Sequence, residues 1–300
     1  MISIRDLIAS SNSDAKASRE IAKDKAVRQV YDRYPELEKI DRDIVAARAT
    51  GLIAVIDNND IEQKHSKALE SQLKDKRTRF MSRNEIDPHF DEERVICDIC
   101  KDTGFYINKG GMSQVCRCRQ DDIEECYRLS GLADYSLVKL ENYRDDHFGR
   151  KAHRLALRRE LTELVLHSGR PDMQCVNILY DGVQTGKTYL AVYTVKLAIN
   201  LGYSAYYVRL DDLSLKYDDE LDDYKESDLL VIDDYIANMT MTGMIGTRLN
   251  SILESRIAKG LPVILVTSFP VSSLIAESDV RIAGKIKRAH ILADDKGKTK

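Results

Sequence analysis

The sequence predicts an α/β chain whose larger part is a parallel sheet flanked by helices, preceded by a helical region and a small cysteine-bearing module. Three observations predict it. Apolar stretches of strand length alternate with helical stretches from Val176 onward, the pattern of a parallel sheet covered on both faces. The first of those strands runs into Asp181-Gly182-Val183-Gln184-Thr185-Gly186-Lys187-Thr188, a phosphate-loop pattern at a strand-to-helix junction. Cys97, Cys100, Cys116 and Cys118 form two close pairs of thiols with metal-ligand spacing.

Composition narrows the class. Three hundred residues suggest about two domains, and 43% apolar residues are enough for a core. The 32% charged fraction points to long solvated helices. A net charge of −3 excludes a generally basic nucleic-acid binder while leaving room for local basic patches. No apolar run approaches the ~18 residues of a membrane span, and the N-terminus lacks a secretory pattern. No membrane association is expected. The clustered cysteines indicate a reducing, cytoplasmic location instead of a disulfide framework.

Taken in order, residues 1–93 read as a helical region. Ile21, Val27, Val30, Tyr31, Tyr34, Leu37, Ile40, Ile44 and Val45 recur at helical intervals between Ala15 and Ala49, with Pro35 forcing a bend or restart. Asn58-Asn59-Asp60 is a turn with a capping candidate. A second helix follows over Ile61 to Met81 with Leu69, Leu73 and Phe80 inward. Together these form a charged hairpin whose apolar stripe can also dock on a partner.

Residues 94–131 form the cysteine module and a connector. Gly104, Gly110 and Gly111 mark turns, and Phe105-Tyr106-Ile107 and Ser113-Gln114-Val115 read as the arms of a small ribbon. Four thiolates close a tetrahedral structural zinc site. Cys116-x-Cys118 is tighter than the usual second knuckle, so Cys126 is an alternative to one of its members. Nothing nearby supplies the open position of a catalytic zinc.

Residues 132–300 carry the sheet. Strands are expected at Val176–Tyr180, Ala205–Arg209, Leu229–Asp233 and Val263–Thr267, and helices at Lys187–Leu201 and Gly246–Lys259. The tail from Asp294 to Lys300 reads as a frayed end.

In the phosphate loop, Lys187 reaches the β/γ-phosphates of ATP and the Thr188 hydroxyl ligates magnesium. Gly182 to Tyr189 cradle the nucleotide. Asp181 stands where the pattern wants glycine, and Gln184 at another position that is often glycine. An aspartate beside the phosphates repels them. Leu229-Leu230-Val231-Ile232 ends in Asp233, which holds magnesium through water, and Asp234, which orients or deprotonates the attacking water. Ser268, after the strand ending at Thr267, is a candidate reporter of the γ-phosphate, with plain strand-end hydrogen bonding as the alternative. Arg281, on a basic helix running to Arg288, is a candidate arginine finger acting in trans, with a solvated basic face as the alternative.

With these residues together, the whole chain resembles the DnaC/DnaI-type loaders of bacterial replicative helicases, in the phage and Gram-positive branch. The resemblance is carried by the charged hairpin, by Cys97-Asp-Ile-Cys-Lys-Asp-Thr-Gly-Phe105 closing with Cys116-Arg-Cys118, by the connector Leu132 to Tyr143, and by the Ile178 to Ser268 core. It implies an AAA+ ATPase core without a C-terminal helical lid, using ATP, Mg2+ and Zn2+. It further implies a role in DNA replication within the primosome. The N-terminal region would bind a DnaB-type helicase hexamer, single-stranded DNA would be the track, and the AAA+ cores would self-assemble.

By position, Lys187 and Thr188 fall on the Walker A lysine and hydroxyl, and Asp233 and Asp234 on Walker B. Ser268 falls on a sensor asparagine and Arg281 in the arginine-finger region. Lys216 and Tyr217 fall in the segment that contacts single-stranded DNA, among aspartates that weaken such contact. The departures at Asp181, Gln184, Ser268 and Lys285 make the chain at most a weak ATPase. Two other readings stay open: an adaptor or antagonist of the helicase or host loader without useful ATP chemistry, and a transposase-associated AAA+ ATPase.

Overall fold

The structure is a computed structural model describing residues 3–140, 144, 151–166, 174–240 and 243–293. The end of the connector at 141–143 and the tail from Asp294 lie outside the described residues. The chain divides into two compact units, one of residues 11–98 and one of residues 1–10 with 99–300.

Three helices make the first unit, of which α1 (Ile4–Arg33) also supplies its first turns to the second. Pro35 opens α2 (Pro35–Ile56) at the first turn, where its missing N–H costs nothing, so the chain restarts as a new helix. Asn59 caps α3 (Asp60–Arg83) by accepting from the Glu62 N–H at 3.2 Å. The turn between α2 and α3 passes through Asn58 in the left-handed region, φ 52°. Leu37, Met81 and Phe90 are buried together, with Val27, Val30 and Tyr31 packed against them. Arg77 bridges Asp41 at 2.7 Å and Asp91 at 2.6 Å, and Tyr31 donates to Asp41 at 2.8 Å. Ile40 and Ile44 are inside as expected, but Ile21, Val45 and Leu69 are exposed and Leu73 and Phe80 only half-buried. The hairpin is too thin to bury more than one stripe of each helix.

The second unit begins with the ribbon, β1 (Phe105–Ile107) paired antiparallel with β2 (Ser113–Val115), and α4 (Gln120–Tyr127). There follow α5 (Lys151–Leu166), β3 (Val176–Tyr180), α6 (Lys187–Asn200), β4 (Ala205–Arg209), α7 (Asp218–Glu226) and β5 (Leu229–Asp233). The chain continues through α8 (Gly243–Lys259), β6 (Val263–Thr267), α9 (Val271–Glu277), α10 (Val280–Ile286) and β7 (His290–Ala293). The five later strands form one parallel sheet in the order β4-β5-β6-β3-β7.

Alternation along each strand builds a core on both faces. Leu179, Tyr207, Val231 and Val266 meet α4, α5, α6 and the buried Ile4 and Ile8 of α1. Ile178, Tyr206, Ile232 and Leu265 meet α7, α8, α9 and α10. The architecture expected from the sequence is the one observed: an α/β unit with a parallel sheet flanked by helices and the phosphate-loop pattern at a strand-to-helix junction, with a helical region and a cysteine module earlier in the chain. Its four expected strands appear with the expected bounds, and β7 is an edge strand that the sequence reading did not anticipate. No described helix is long and apolar enough to cross a membrane.

Candidate nucleotide cleft and cysteine centre

The carboxyl ends of β3, β5 and β6 open into a cleft of about 530 Å³. This is where open parallel sheets present loops to ligands. The phosphate loop supplies Val183, Gln184, Thr185, Gly186, Lys187, Thr188 and Tyr189, strand β5 leads into Asp233 and Asp234, and β6 leads into Thr267 and Ser268. The cleft also takes Tyr135 and Val138, which reach it from the segment before α5.

The loop's shape follows from its backbone. Gly186 is left-handed at φ 79° and stands at the N-terminus of α6, whose amides and dipole suit an anion. Gln184 is also left-handed, φ 59°, at a position where glycine would be unstrained. Arg154 on α5, 3% exposed, donates to the carbonyls of Thr185 and of Gly186, the latter at 3.2 Å. It ties the carbonyl side of the loop to α5. Lys187 Nζ donates to the Gly182 carbonyl. Burial holds the Lys187 ammonium below the usual lysine range, and Asp181, Asp233 and Asp234 pull it partly back.

Asp181 stands at the start of the loop. Its side chain is buried and accepts from the Gly182 N–H at 2.7 Å, and it is not among the residues lining the cleft. Asp233 is 2% exposed. Its Oδ1 accepts from the Asp234 N–H at 2.8 Å and its Oδ2 from the Tyr207 hydroxyl at 2.7 Å. Burial first, and the Asp233 charge next, push the Tyr207 hydroxyl well above the usual phenol range, so it stays a donor. Asp234 is left-handed at φ 52°, and Arg209 Nε lies 3.5 Å from its Oδ2. Partial burial and then the Asp233 charge hold the Asp234 carboxyl above the usual range, against the pull of Arg209 and Lys187.

Arg281 is elsewhere. It pairs with Asp279, the N-cap of α10, at 3.0 Å and does not line this chain's cleft. Lys285 donates to Asn250 at 2.8 Å. Lys216 pairs with Glu220 at 2.9 Å, whereas Tyr217 is 77% exposed. Tyr135, Tyr207 and Arg154 escaped the sequence reading. Each acts only through a contact with a residue far along the chain, and no local pattern marks them.

The residues present fit a nucleoside triphosphate with magnesium: a helix N-terminus, a lysine, a hydroxyl at Thr188 and a buried carboxylate share one cleft. Such a ligand would bring phosphate charge and a metal that polarises it.

In the segments flanking the ribbon, the Sγ atoms of Cys97, Cys100, Cys116 and Cys118 lie within 4.8 Å of one another, Cys100 and Cys118 at 3.5 Å. Four sulfurs around a zinc at about 2.3 Å stand about 3.8 Å apart, so the cluster fits that ion with little movement. The first knuckle turns through Lys101 and Asp102 in left-handed conformations, φ 49° and 65°. In the second, Cys116 donates its N–H to the Gly104 carbonyl at 2.8 Å. Cys126 is buried in α4 outside the cluster, which sets aside the alternative ligand.

No family model and no curated relative matches the chain. Among solved structures it is similar to AMPPCP-bound DnaA from Aquifex aeolicus, at 20% identity and a TM-score of 0.43, over 52% of this chain and 49% of that one. It is similar to DnaI at 17% identity and a TM-score of 0.42, over 53% of this chain and 90% of that one. It is also similar to the DnaC helicase loader at 22% identity and a TM-score of 0.41, over 53% of this chain and 98% of that one. The matched part thus spans about half the length of the DnaA chain.

Proposed function

We propose that the chain is a cytoplasmic, ATP-responsive loader of a replicative DNA helicase. The observation that carries the reading is the single cleft in which the phosphate loop, Lys187, Thr188, Asp233, Asp234 and Ser268 converge. In it, Lys187 balances phosphate charge, Thr188 and Asp233 hold magnesium, Asp234 orients a water and Ser268 faces the terminal phosphate. Arg281 acts on the cleft of a neighbouring copy, which requires the cores to assemble side by side.

The helical region, residues 1–93, is the helicase-binding part, and the zinc module, 94–131, joins it to the ATPase core, 132–300. The far end of the hairpin supports a docking role: Leu52, Ile53, Val55, Ile56 and Ile61 are each more than half exposed. Apolar residues concentrated at one exposed end are the mark of an interaction surface. Single-stranded DNA is bound weakly at Lys216 and Tyr217. The strained Gln184 favours a second reading, an adaptor that engages the helicase without useful hydrolysis.

The test is to mix the chain with a DnaB-type helicase and weigh the products by light scattering after gel filtration, with and without ATP. A stable complex whose stoichiometry responds to ATP is expected of a loader. A complex indifferent to ATP selects the adaptor, and no complex under any condition ends the helicase reading.

A further inference from the structure

A buried carboxylate is costly unless its oxygens are hydrogen-bonded, and Asp233 is 2% exposed. One oxygen accepts from the Asp234 N–H at 2.8 Å, a bond internal to the strand end. The other accepts from the Tyr207 hydroxyl at 2.7 Å, a bond from the neighbouring strand. An ionised carboxylate can only accept, so the single proton of Tyr207 goes to Asp233. The Tyr207 oxygen is then the acceptor for the Tyr135 hydroxyl, 2.9 Å away. The two rings meet edge to face at 5.1 Å.

The chain is shaped for this approach. Gly131, left-handed at φ 83°, lies so close to β4 that a Cβ there would stand 2.2 Å from the Tyr207 carbonyl oxygen. Four residues on, the Tyr135 carbonyl accepts from Lys196 at 2.9 Å. Tyr135 itself lines the nucleotide cleft beside Val138.

We infer that Tyr207 is a positioning residue for the metal ligand Asp233, and that Tyr135, reached from the cleft, completes a hydroxyl relay that orients this carboxylate toward magnesium. The inference rests on the nucleotide reading of the cleft. A carboxylate has about four lone-pair sites, so with one taken on each oxygen it keeps a free one on each for the metal or its water. The relay decides which way those face.

The test measures binding of a fluorescent ATP analogue to the full chain, in magnesium and in EDTA, for wild type, Tyr207→Phe, Tyr135→Phe and Tyr206→Phe. Tyr206 is the control: it is on the same strand, faces the other layer and donates to Asp223 at 3.1 Å. Wild type should bind more tightly in magnesium than in EDTA. Tyr207→Phe should lose about tenfold of that gain, the scale of one hydrogen bond to a charged group, with its affinity in EDTA unchanged. Tyr135→Phe should lose less, and Tyr206→Phe nothing. A magnesium gain retained in Tyr207→Phe, or lost equally in Tyr206→Phe, overturns the relay while leaving the nucleotide site standing. Absence of nucleotide binding by wild type overturns both.

Discussion

Gln184 sits at φ 59°, where an L-residue places its Cβ against the following carbonyl, and its side chain is exposed. That conformation costs a non-glycine residue roughly 1–2 kcal/mol. Glycine escapes this cost but has more unfolded-state freedom to lose, worth about 0.4–1 kcal/mol. Gln184→Gly should therefore stabilise the unit that holds the phosphate loop by roughly 0.5–1 kcal/mol, while Gln184→Ala keeps the strain and gains nothing. The contrast between the two variants is the informative quantity, because in a helix or strand its sign reverses. For a unit of about 200 residues, 1 kcal/mol corresponds to about 2–4 °C in Tm. Scanning calorimetry of the three chains without nucleotide reads it. If Gln184→Ala melts at or above Gln184→Gly, the loop does not hold this residue left-handed, and the account of the strained phosphate loop fails.

Purified chain is expected to carry about one zinc, and Cys100→Ser or Cys116→Ser to carry none, by metal analysis; full metal content in either variant would dismiss the four-thiol site. Gly131→Ala meets both the Tyr207 carbonyl at 2.2 Å and a left-handed backbone, so it should cost at least ~2 kcal/mol in urea denaturation. Burial pushes the Cys126 thiol from 9.0 up to about 11. Its contribution to stability is thus fully present below about pH 9 and lost as pH rises through about 11. The difference in urea midpoint between wild type and Cys126→Ala should shrink across that window, and a difference constant with pH would refute the burial argument.

What the sequence reveals and what it hides follow from physics. Strands β3 to β6 are legible because a strand buried on both faces is an apolar run bounded by turn residues. The phosphate loop is legible because its chemistry is local. Strand β7 is four residues long and lies near the end of the described chain, so it gives little periodic signal. Ile4 and Ile8 read as two apolar residues in a polar helix, yet they are 0% and 2% exposed in the core. Leu69 errs the other way: helical spacing suggests burial, but the hairpin has no second layer to bury it. The hydroxyl relay joins residues 72 and 26 positions apart, and only the folded sheet brings them together. Arg281 is legible as a basic helix residue, and its pairing with Asp279 within that helix start shows why basic spacing alone does not mark a cleft residue.

The division of the chain at Ser10 and Asp98 makes the helical unit an insertion, since the same compact unit holds both of the chain's crossing points. A protease cut anywhere within residues 11–98 would therefore leave two fragments, each still owning part of the core of the sheet-bearing unit. The N-terminal fragment would keep Ile4 and Ile8 seated beside α4 and α6, so a nicked molecule should co-elute as one species until denatured. Expression of residues 99–300 alone would lack those two side chains and Cys97 of the thiol cluster, so a fragment trimmed for study should start before Cys97 and carry the first turns of α1 back as a fused or added peptide.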